Sequence, residues 1–486
     1  MAKVALIYFD VKIGEFLPSY SHGVGYLVGA LKESGHKVSL YHLITAETFP
    51  ETISSLNKDM PDIIGLSFTT NQRQYVRHFL TEFKTQSKKP LFLAGGMDAT
   101  MLKEEMFSEL PEIDGLCIGE GEGPLRELCR RLDAKEDFLS VPSFYFRTKE
   151  GIVKNPVMPL EDINRLPFAD YSLFDWRRIT QTSGGWFRMM LNRGCPYSCS
   201  YCCNHILKKI YPNNQHYVRL MEVDRAMALI KHNLSLSSDI KKVFLDDDTF
   251  TVNKKWLIHF CESYKKEINL PFVCQARVET VDEEMASALK LAGCSFVNIG
   301  VESGNEWMRR YILKRIHSNE KIREAFKIFR RHGIRTFAFS MVGLPFETVR
   351  MVEDTFTLCK ELRPDSGTCA YFYPYPGSEI HKLCVDYNLM AEDLASRTSY
   401  AERSSIKEIF MTQGEVKNAF EKMKVLFYGR LFLSKVKMPP FLENIFLSVL
   451  LLFRKFLVAM INPSLDNHVL MFIRGAIRKF GWKYFR

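Results

Sequence analysis

Two arrangements of apolar residues alternate along the first part of this chain. Short continuous apolar runs occupy residues 4–9, 38–43, 63–68, 91–94 and 115–118, each of strand length. Between them the apolar positions fall at helical spacing, clearest over 25–33, which stops at Gly35, and over 72–83. Strands that are apolar throughout are covered on both faces, and their alternation with helices predicts a doubly wound, flavodoxin-like parallel sheet over residues 1–135. Ligands of such sheets sit at the carboxyl ends of the strands. Three glycine- or hydroxyl-rich corners fall there: Ser67-Phe68-Thr69-Thr70, Gly95-Gly96-Met97-Asp98-Ala99-Thr100 and Gly119-Glu120-Gly121-Glu122-Gly123.

The pattern then lapses and returns. Residues 136–186 carry Val141-Pro142, Asn155-Pro156 and Leu166-Pro167 with few periodic runs, and are expected to be a linker. From 187 to 380, strands are predicted at 188–191, 242–245, 272–275, 296–299, 336–341 and 367–372. Helices are predicted at 222–232, 254–266, 283–291, 320–332 and 347–361. Six strand–helix units predict a partial (β/α)6 barrel whose functional groups lie on the loops after the strands. Residues 381–486 lose the alternation and are expected to be helical, with amphipathic stretches over 441–460 and 469–480. The run 445–453 is interrupted by Arg454 and Lys455, short of the ~20 apolar residues that span a bilayer.

Composition narrows the class. A chain of 486 residues, 46% hydrophobic and 25% charged, is that of a globular protein of two or three domains. Its 12 cysteines follow no disulfide framework, and Met1-Ala2-Lys3 runs straight into a strand rather than a secretory signal. A reducing cytoplasm, where thiolates remain free, is therefore expected. The net charge of +10 is concentrated in residues 401–486, which hold 15 Lys and Arg against 6 Asp and Glu. A basic, apolar tail suits an anionic membrane face, where an amphipathic helix can lie in the interface, or nucleic acid; the alternative is a helical cap over the barrel mouth.

The candidate chemistry begins at Arg193-Gly194-Cys195-Pro196-Tyr197-Ser198-Cys199-Ser200-Tyr201-Cys202. Cys195, Cys199 and Cys202 stand at C-x3-C-x2-C on the loop after the first barrel strand. Three thiolates can hold three irons of a cubane iron–sulfur cluster and leave the fourth open to a small molecule. Zinc prefers two CxxC pairs or a Cys/His set, for which His205 is the one nearby addition. Cys203 is off-pattern and reads as packing.

This spacing resembles the radical S-adenosylmethionine superfamily. The resemblance implies that the open iron of a [4Fe-4S] cluster binds the amino and carboxylate groups of S-adenosylmethionine, with Tyr201 against the adenine. Asp246 and Asp247, from Asp246-Asp247-Asp248, are expected to accept from the ammonium. Arg277 is expected to pair with the methionine carboxylate. Glu302 and Ser303 would hold ribose hydroxyls or the ammonium, with Val342 and Gly343 beside the adenine. The first 135 residues resemble the cobalamin-binding domain that precedes the barrel in the B12-dependent branch. That places Ser67, Thr69, Gly95, Gly96, Gly119 and Gly121 at the corrin. The D-x-H-x-x-G motif of other B12 proteins is absent, since Asp10-Val11-Lys12-Ile13-Gly14 has no histidine. Members of this branch often lack it and leave the lower face of the corrin without a protein imidazole; a degenerate domain that binds no corrin stays open.

The implied reaction starts from a 5′-deoxyadenosyl radical that takes hydrogen from an unactivated carbon, after which methylcobalamin donates a methyl group. The implied substrate is a lipid, a tetrapyrrole or another secondary metabolite. The implied partner is an external reductant, flavodoxin or ferredoxin, and peripheral membrane contact through the tail is expected. Cyclisation, ring rearrangement or carbon–carbon coupling without methyl transfer is the alternative. RNA methylthiolation would need three further cluster cysteines in the first domain, where only Cys117 and Cys129 occur. A corrin sensor would have no use for the cysteine loop.

Overall fold

The computed structural model describes residues 1–11, 20–83, 89–211, 216–391, 403–436 and 438–454. The predicted stretch 469–480, the end of 441–460 and residues 12–14 of the histidine-less motif lie outside the described residues.

The first layer is a sheet in the order β2-β1-β3-β4-β5-β6-β7. Its parallel part is β1 (Lys3–Phe9), β2 (Lys37–Leu43), β3 (Ile63–Ser67), β4 (Leu91–Gly95) and β5 (Gly115–Cys117). Helices α1 (His22–Glu33), α2 (Phe49–Asp59), α3 (Arg73–Glu82), α4 (Met97–Leu102), α5 (Met106–Glu109) and α6 (Glu122–Ala134) cover its faces. Each strand stays within a residue or two of its predicted run, because an apolar strand between two helical layers leaves little choice of register.

The expected linker does more than connect. β6 (Phe144–Thr148) and β7 (Gly151–Lys154) extend the sheet as an antiparallel hairpin beyond β5. Phe144 and Phe146 alternate inward and stack at 5.3 Å, a period-2 signal that the surrounding prolines obscure. The chain then crosses α1 at two glycines. A Cβ on Gly25 would stand 2.3 Å from the Tyr171 ring, and one on Gly29 2.3 Å from the Phe168 carbonyl. Asp170 N donates to Gly25 O at 2.9 Å, and Lys32 pairs with Asp170 at 2.7 Å.

α7 (Trp176–Ser183) leads into the second sheet, ordered β13-β12-β11-β10-β9-β8 with every pair parallel. Its strands are β8 (Trp186–Met189), β9 (Lys242–Leu245), β10 (Phe272–Ala276), β11 (Cys294–Glu302), β12 (Arg335–Val342) and β13 (Ser366–Tyr371). The helices α8 (Asn204–Ile210), α9 (Val223–Leu234), α10 (Lys254–Glu267), α11 (Glu283–Leu291), α12 (Asn319–Arg331), α13 (Val349–Leu362) and α14 (Glu379–Asp386) intervene. The six strands form an open half-barrel, as the alternation predicts.

An aromatic joint binds the two sheets. The Tyr20 ring stacks on Phe187 at 5.4 Å and lies 5.2 Å from Trp176, while its hydroxyl meets the backbone of Arg188 on β8. One apolar core accordingly runs from Leu6 under the first sheet to Phe326 under the second.

At the other edge, α15 (Gln413–Leu433) lies along β13, with Phe420 stacked on Tyr371 at 4.1 Å. It covers the exposed edge strand. α16 (Pro440–Leu452) packs on α15 through Leu447 and a buried Arg430–Glu443 pair at 2.8 Å. No helix among the described residues is long and apolar enough to cross a membrane.

Candidate active site

The cysteine loop leaves β8 and runs to α8, held at its start, middle and end. Asp247, fully buried, accepts from Asn192 N at 2.6 Å and Leu191 N at 3.4 Å. Arg193 and Arg219 exchange backbone hydrogen bonds at 3.0 and 2.9 Å. In mid-loop, Ser200 N donates to Leu313 O at 3.2 Å, and Ile380 N donates to Ser200 O at 3.1 Å. Beyond α8, the Tyr211 hydroxyl accepts from Glu120 N at 2.7 Å.

Each sulfur of the motif has a polar group beside it. The Thr249 hydroxyl lies 3.4 Å from Cys195 Sγ, Arg277 Nη1 donates to Cys199 Sγ at 3.2 Å, and Asn204 Nδ2 approaches Cys202 Sγ at 3.8 Å. Off-pattern Cys203 has a use as well: its hydrogen bond to Cys202 lowers the Cys202 thiol pKa. Among the described residues no three His, Cys, Asp or Glu side chains are placed to hold a single metal ion; in a cubane each of the three thiolates takes its own iron, and the polar groups beside the sulfurs fit that use. The zinc alternative lacks its fourth ligand, because the His205 imidazole turns to Glu379 at 3.7 Å.

The loop shares a cavity of about 360 Å³ with the first sheet. Gly194, Cys203, Asn204 and Asp248 line it from the barrel side. Ser67, Gly95, Gly96, Gly119 and Gly121 line it from the strand ends. It continues between α1 and the sheet as an apolar slot reaching Leu6, Leu93 and Phe144. Gly119 has φ +84°, and a Cβ there would stand 2.3 Å from the Tyr211 hydroxyl, so the corner accepts only glycine. Its N–H donates to Thr100 Oγ1 at 3.0 Å. This bare-backbone cradle ending in a greasy slot fits a bulky cofactor with a planar body, such as cobalamin. Thr69, expected at the corrin, is exposed and outside the cavity.

Among the expected S-adenosylmethionine contacts the structure redistributes several. Asp246 is engaged by Arg188 Nε at 2.6 Å and by His22 Nε2 at 3.3 Å. Burial would raise its pKa, but those two partners hold it low. Asp247 serves the loop backbone; burial pushes it up to about 7. The aspartate facing the cavity is therefore Asp248, not the two favoured from sequence. Ser303 is fully buried, 3.4 Å from the Thr355 hydroxyl, and anchors the turn instead of facing a ligand. Val342 is likewise fully buried. Gly343, with φ +75°, is approached by Ser404 and Val416. Arg277 is held by Glu279, at 2.5 and 3.3 Å, as well as by Cys199.

Tyr201 and Glu302 do come together, through a residue that sequence reasoning missed. Buried Arg315 donates to the Tyr201 hydroxyl at 3.0 Å, to Gly300 O at 2.6 Å and to Glu302 at 3.4 Å. Glu302 sits at φ +63°, a strained conformation for a non-glycine residue and frequent at functional sites. Nothing in its local sequence marks Arg315; the fold turns it inward onto Tyr201. Arg193, Arg219 and His22 were also missed, and Asp248, though named in the aspartate run, was not favoured, since their partners lie far along the chain.

Comparison with known proteins agrees with this layout. The B12 binding domain model matches residues 18–129, and the Radical SAM superfamily model matches residues 189–359. An uncharacterized methyltransferase of Pyrococcus horikoshii is 26% identical over 372 residues, covering 76% of this chain and 79% of that protein. An anaerobic magnesium-protoporphyrin IX monomethyl ester cyclase of Rubrivivax gelatinosus is 24% identical over 431 residues, 82% of this chain and 75% of that one. The solved structure of the cobalamin-dependent S-adenosylmethionine radical enzyme OxsB, with aqua-cobalamin and S-adenosylmethionine bound, superposes with a TM-score of 0.69. It is 17% identical and covers 99% of this chain and 75% of its own.

One carboxyl at this site makes stability depend on pH. Glu347 accepts from Gly343 N at 2.7 Å and Leu344 N at 3.1 Å, and burial lifts its pKa from 4.5 to about 8. Between those values the folded chain holds a proton that the unfolded chain has released, so stability falls as pH rises through the window. At pH 7 the cost is about 3 kcal/mol. Glu347→Gln removes it. Thermal unfolding at pH 5 and pH 7.5 should show a larger fall for the natural chain than for the variant; equal falls would refute the assignment.

Proposed function

Since the chain belongs to the B12-binding-domain-containing radical S-adenosylmethionine enzymes, we propose that it methylates an unactivated carbon of an apolar small molecule. The observation that carries this reading is the shared cavity, lined on one side by Gly194 and Cys203, which flank the three motif cysteines, and on the other by the glycine corners of the first sheet. A substrate there would lie between the two cofactor positions, which is the arrangement a hydrogen abstraction followed by methyl delivery requires. When bound, the cluster with S-adenosylmethionine supplies a 5′-deoxyadenosyl radical, and cobalamin supplies the methyl group.

The chain's own residues bind and orient. Cys195, Cys199 and Cys202 hold three irons. Tyr201, fixed by Arg315, offers its ring to the adenine, with Glu302 beside it. Asp248 meets an ammonium or hydroxyl in the cavity. An external one-electron donor, flavodoxin or ferredoxin, is required. Ring closure without methyl transfer is the second reading, favoured by the likeness to the magnesium-protoporphyrin cyclase. Product mass separates the two, since methylation adds one CH2.

A lipid or tetrapyrrole substrate is supported by the C-terminal helices. α16 exposes Phe441 (64%), Ile445 (57%), Val449 (45%) and Leu452 (79%) at helical spacing on one face. The sequence that follows, 455–486, carries six basic residues and one acidic residue. An apolar face with cationic flanks suits an anionic lipid surface.

Anaerobic reconstitution with iron, sulfide and hydroxocobalamin tests the assignment. The natural chain should take up a cluster and a corrin and release deoxyadenosine, while Cys199→Ala should keep the corrin and release none. Deoxyadenosine from the variant would overturn the reading. In flotation with phosphatidylglycerol-containing vesicles the natural chain should rise and Ile445→Glu should stay behind. Equal behaviour of the two would remove the membrane contact.

A further inference from the structure

Arg277 follows β10 and is 8% exposed. Three edges of its guanidinium environment are defined. Nε and Nη2 fork onto the Glu279 carboxylate at 3.3 and 2.5 Å. Nη1 donates to Cys199 Sγ at 3.2 Å. The guanidinium plane lies 3.6 Å from the centre of the Tyr197 ring, itself part of the cysteine loop. Glu279 is held in turn by His317 Nδ1 at 3.0 Å. A side chain expected to reach out for a substrate carboxylate is instead stacked, forked and aimed at a sulfur.

We propose that Arg277 is a positioning residue that sets the reduction potential of the cluster through Cys199, with Glu279 moderating its charge. The proposal rests on the reading that Cys195, Cys199 and Cys202 hold the cluster. A cation hydrogen-bonded to a cluster thiolate favours the more negative, reduced state. It does so strongly where burial excludes water. Glu279 works against it, because a carboxylate on the far side of the guanidinium offsets part of that field. Tyr197 and the Glu279 fork together fix the plane, so that the remaining N–H edge faces the sulfur. Removing Arg277 or removing Glu279 should therefore move the potential, and in opposite directions.

The test is an EPR-monitored redox titration of the reconstituted cluster in the natural chain, Arg277→Met, Arg277→Lys and Glu279→Gln. S-adenosylmethionine affinity is measured on the same samples by equilibrium dialysis. Arg277→Met should lower the reduced-to-oxidised ratio about tenfold at a fixed solution potential, which is 59 mV for a one-electron couple. Arg277→Lys keeps the charge without the fork and should fall between. Glu279→Gln should raise the ratio by about threefold. Affinity for S-adenosylmethionine should stay within about threefold throughout. An unchanged potential in Arg277→Met, or a tenfold loss of affinity at unchanged potential, would overturn the proposal and return Arg277 to the methionine carboxylate. Should Arg277→Met fail to take up iron, Glu279→Gln decides: a positive shift supports the proposal and no shift sinks it. If the natural chain itself takes up no iron, the underlying cluster reading has failed instead.

Discussion

Two arginines of the barrel grip two glutamates of the first sheet, and the rest of the site depends on that grip. Arg193, two residues before Cys195, reaches Glu120 at 2.9 Å and Glu122 at 2.6 Å and lies over the Tyr26 ring at 4.4 Å. Arg219 pairs with Glu120 and donates to Glu161 O at 2.7 Å. Burying such charges is costly, and their net contribution to stability is small. Deleting Arg193, however, strands the buried Glu122 carboxylate, at a cost of ~3–5 kcal/mol. What the clasp secures is therefore position. The glycine corner 119–122 and the root of the cysteine loop cannot move independently.

That constraint explains why the cavity has two kinds of wall. α8 begins directly after the cysteine loop and presents Asn204 and Leu207 to the shared cavity, followed by Tyr211. His205, Ile206 and Lys209 point to a second hollow, of about 570 Å³, on its other side. The short helix is a partition, fixed at one end by the loop and at the other by Tyr211 against Gly119. The aromatic joint of Tyr20, Trp176 and Phe187 closes the opposite side of the interface. A radical reaction needs its partners held, and two sheets joined by the clasp and by the aromatic joint hold the walls of the site in place.

Much of this was legible in the sequence, and the boundary of legibility is physical. Continuous apolar strands and helical periods located both sheets, because local spacing determines which face is buried. The hairpin of Phe144 and Phe146 was missed: two strands of a few residues between prolines carry too little periodicity. The cysteine spacing was readable because a loop brings near neighbours together. Which aspartate faces the cavity was not, since Asp246 is claimed by His22 from the other domain and Asp247 by the backbone at 191–192. Ser303 departs from its expected role for the same reason, closed off by Thr355, while Arg315, given no role in the sequence, turns inward onto Tyr201. Residue type and spacing announce which chemistry is present; long-range partners decide which copy performs it.

The central claim is that the cluster and the corrin face one cavity. The direct measurement is low-temperature EPR of protein loaded anaerobically with both cofactors, the cluster reduced and the cobalt as cob(II)alamin. The account predicts dipolar broadening and faster relaxation of each signal relative to protein carrying one cofactor alone. Two full-strength signals with the line shapes and relaxation of the singly loaded forms would contradict it.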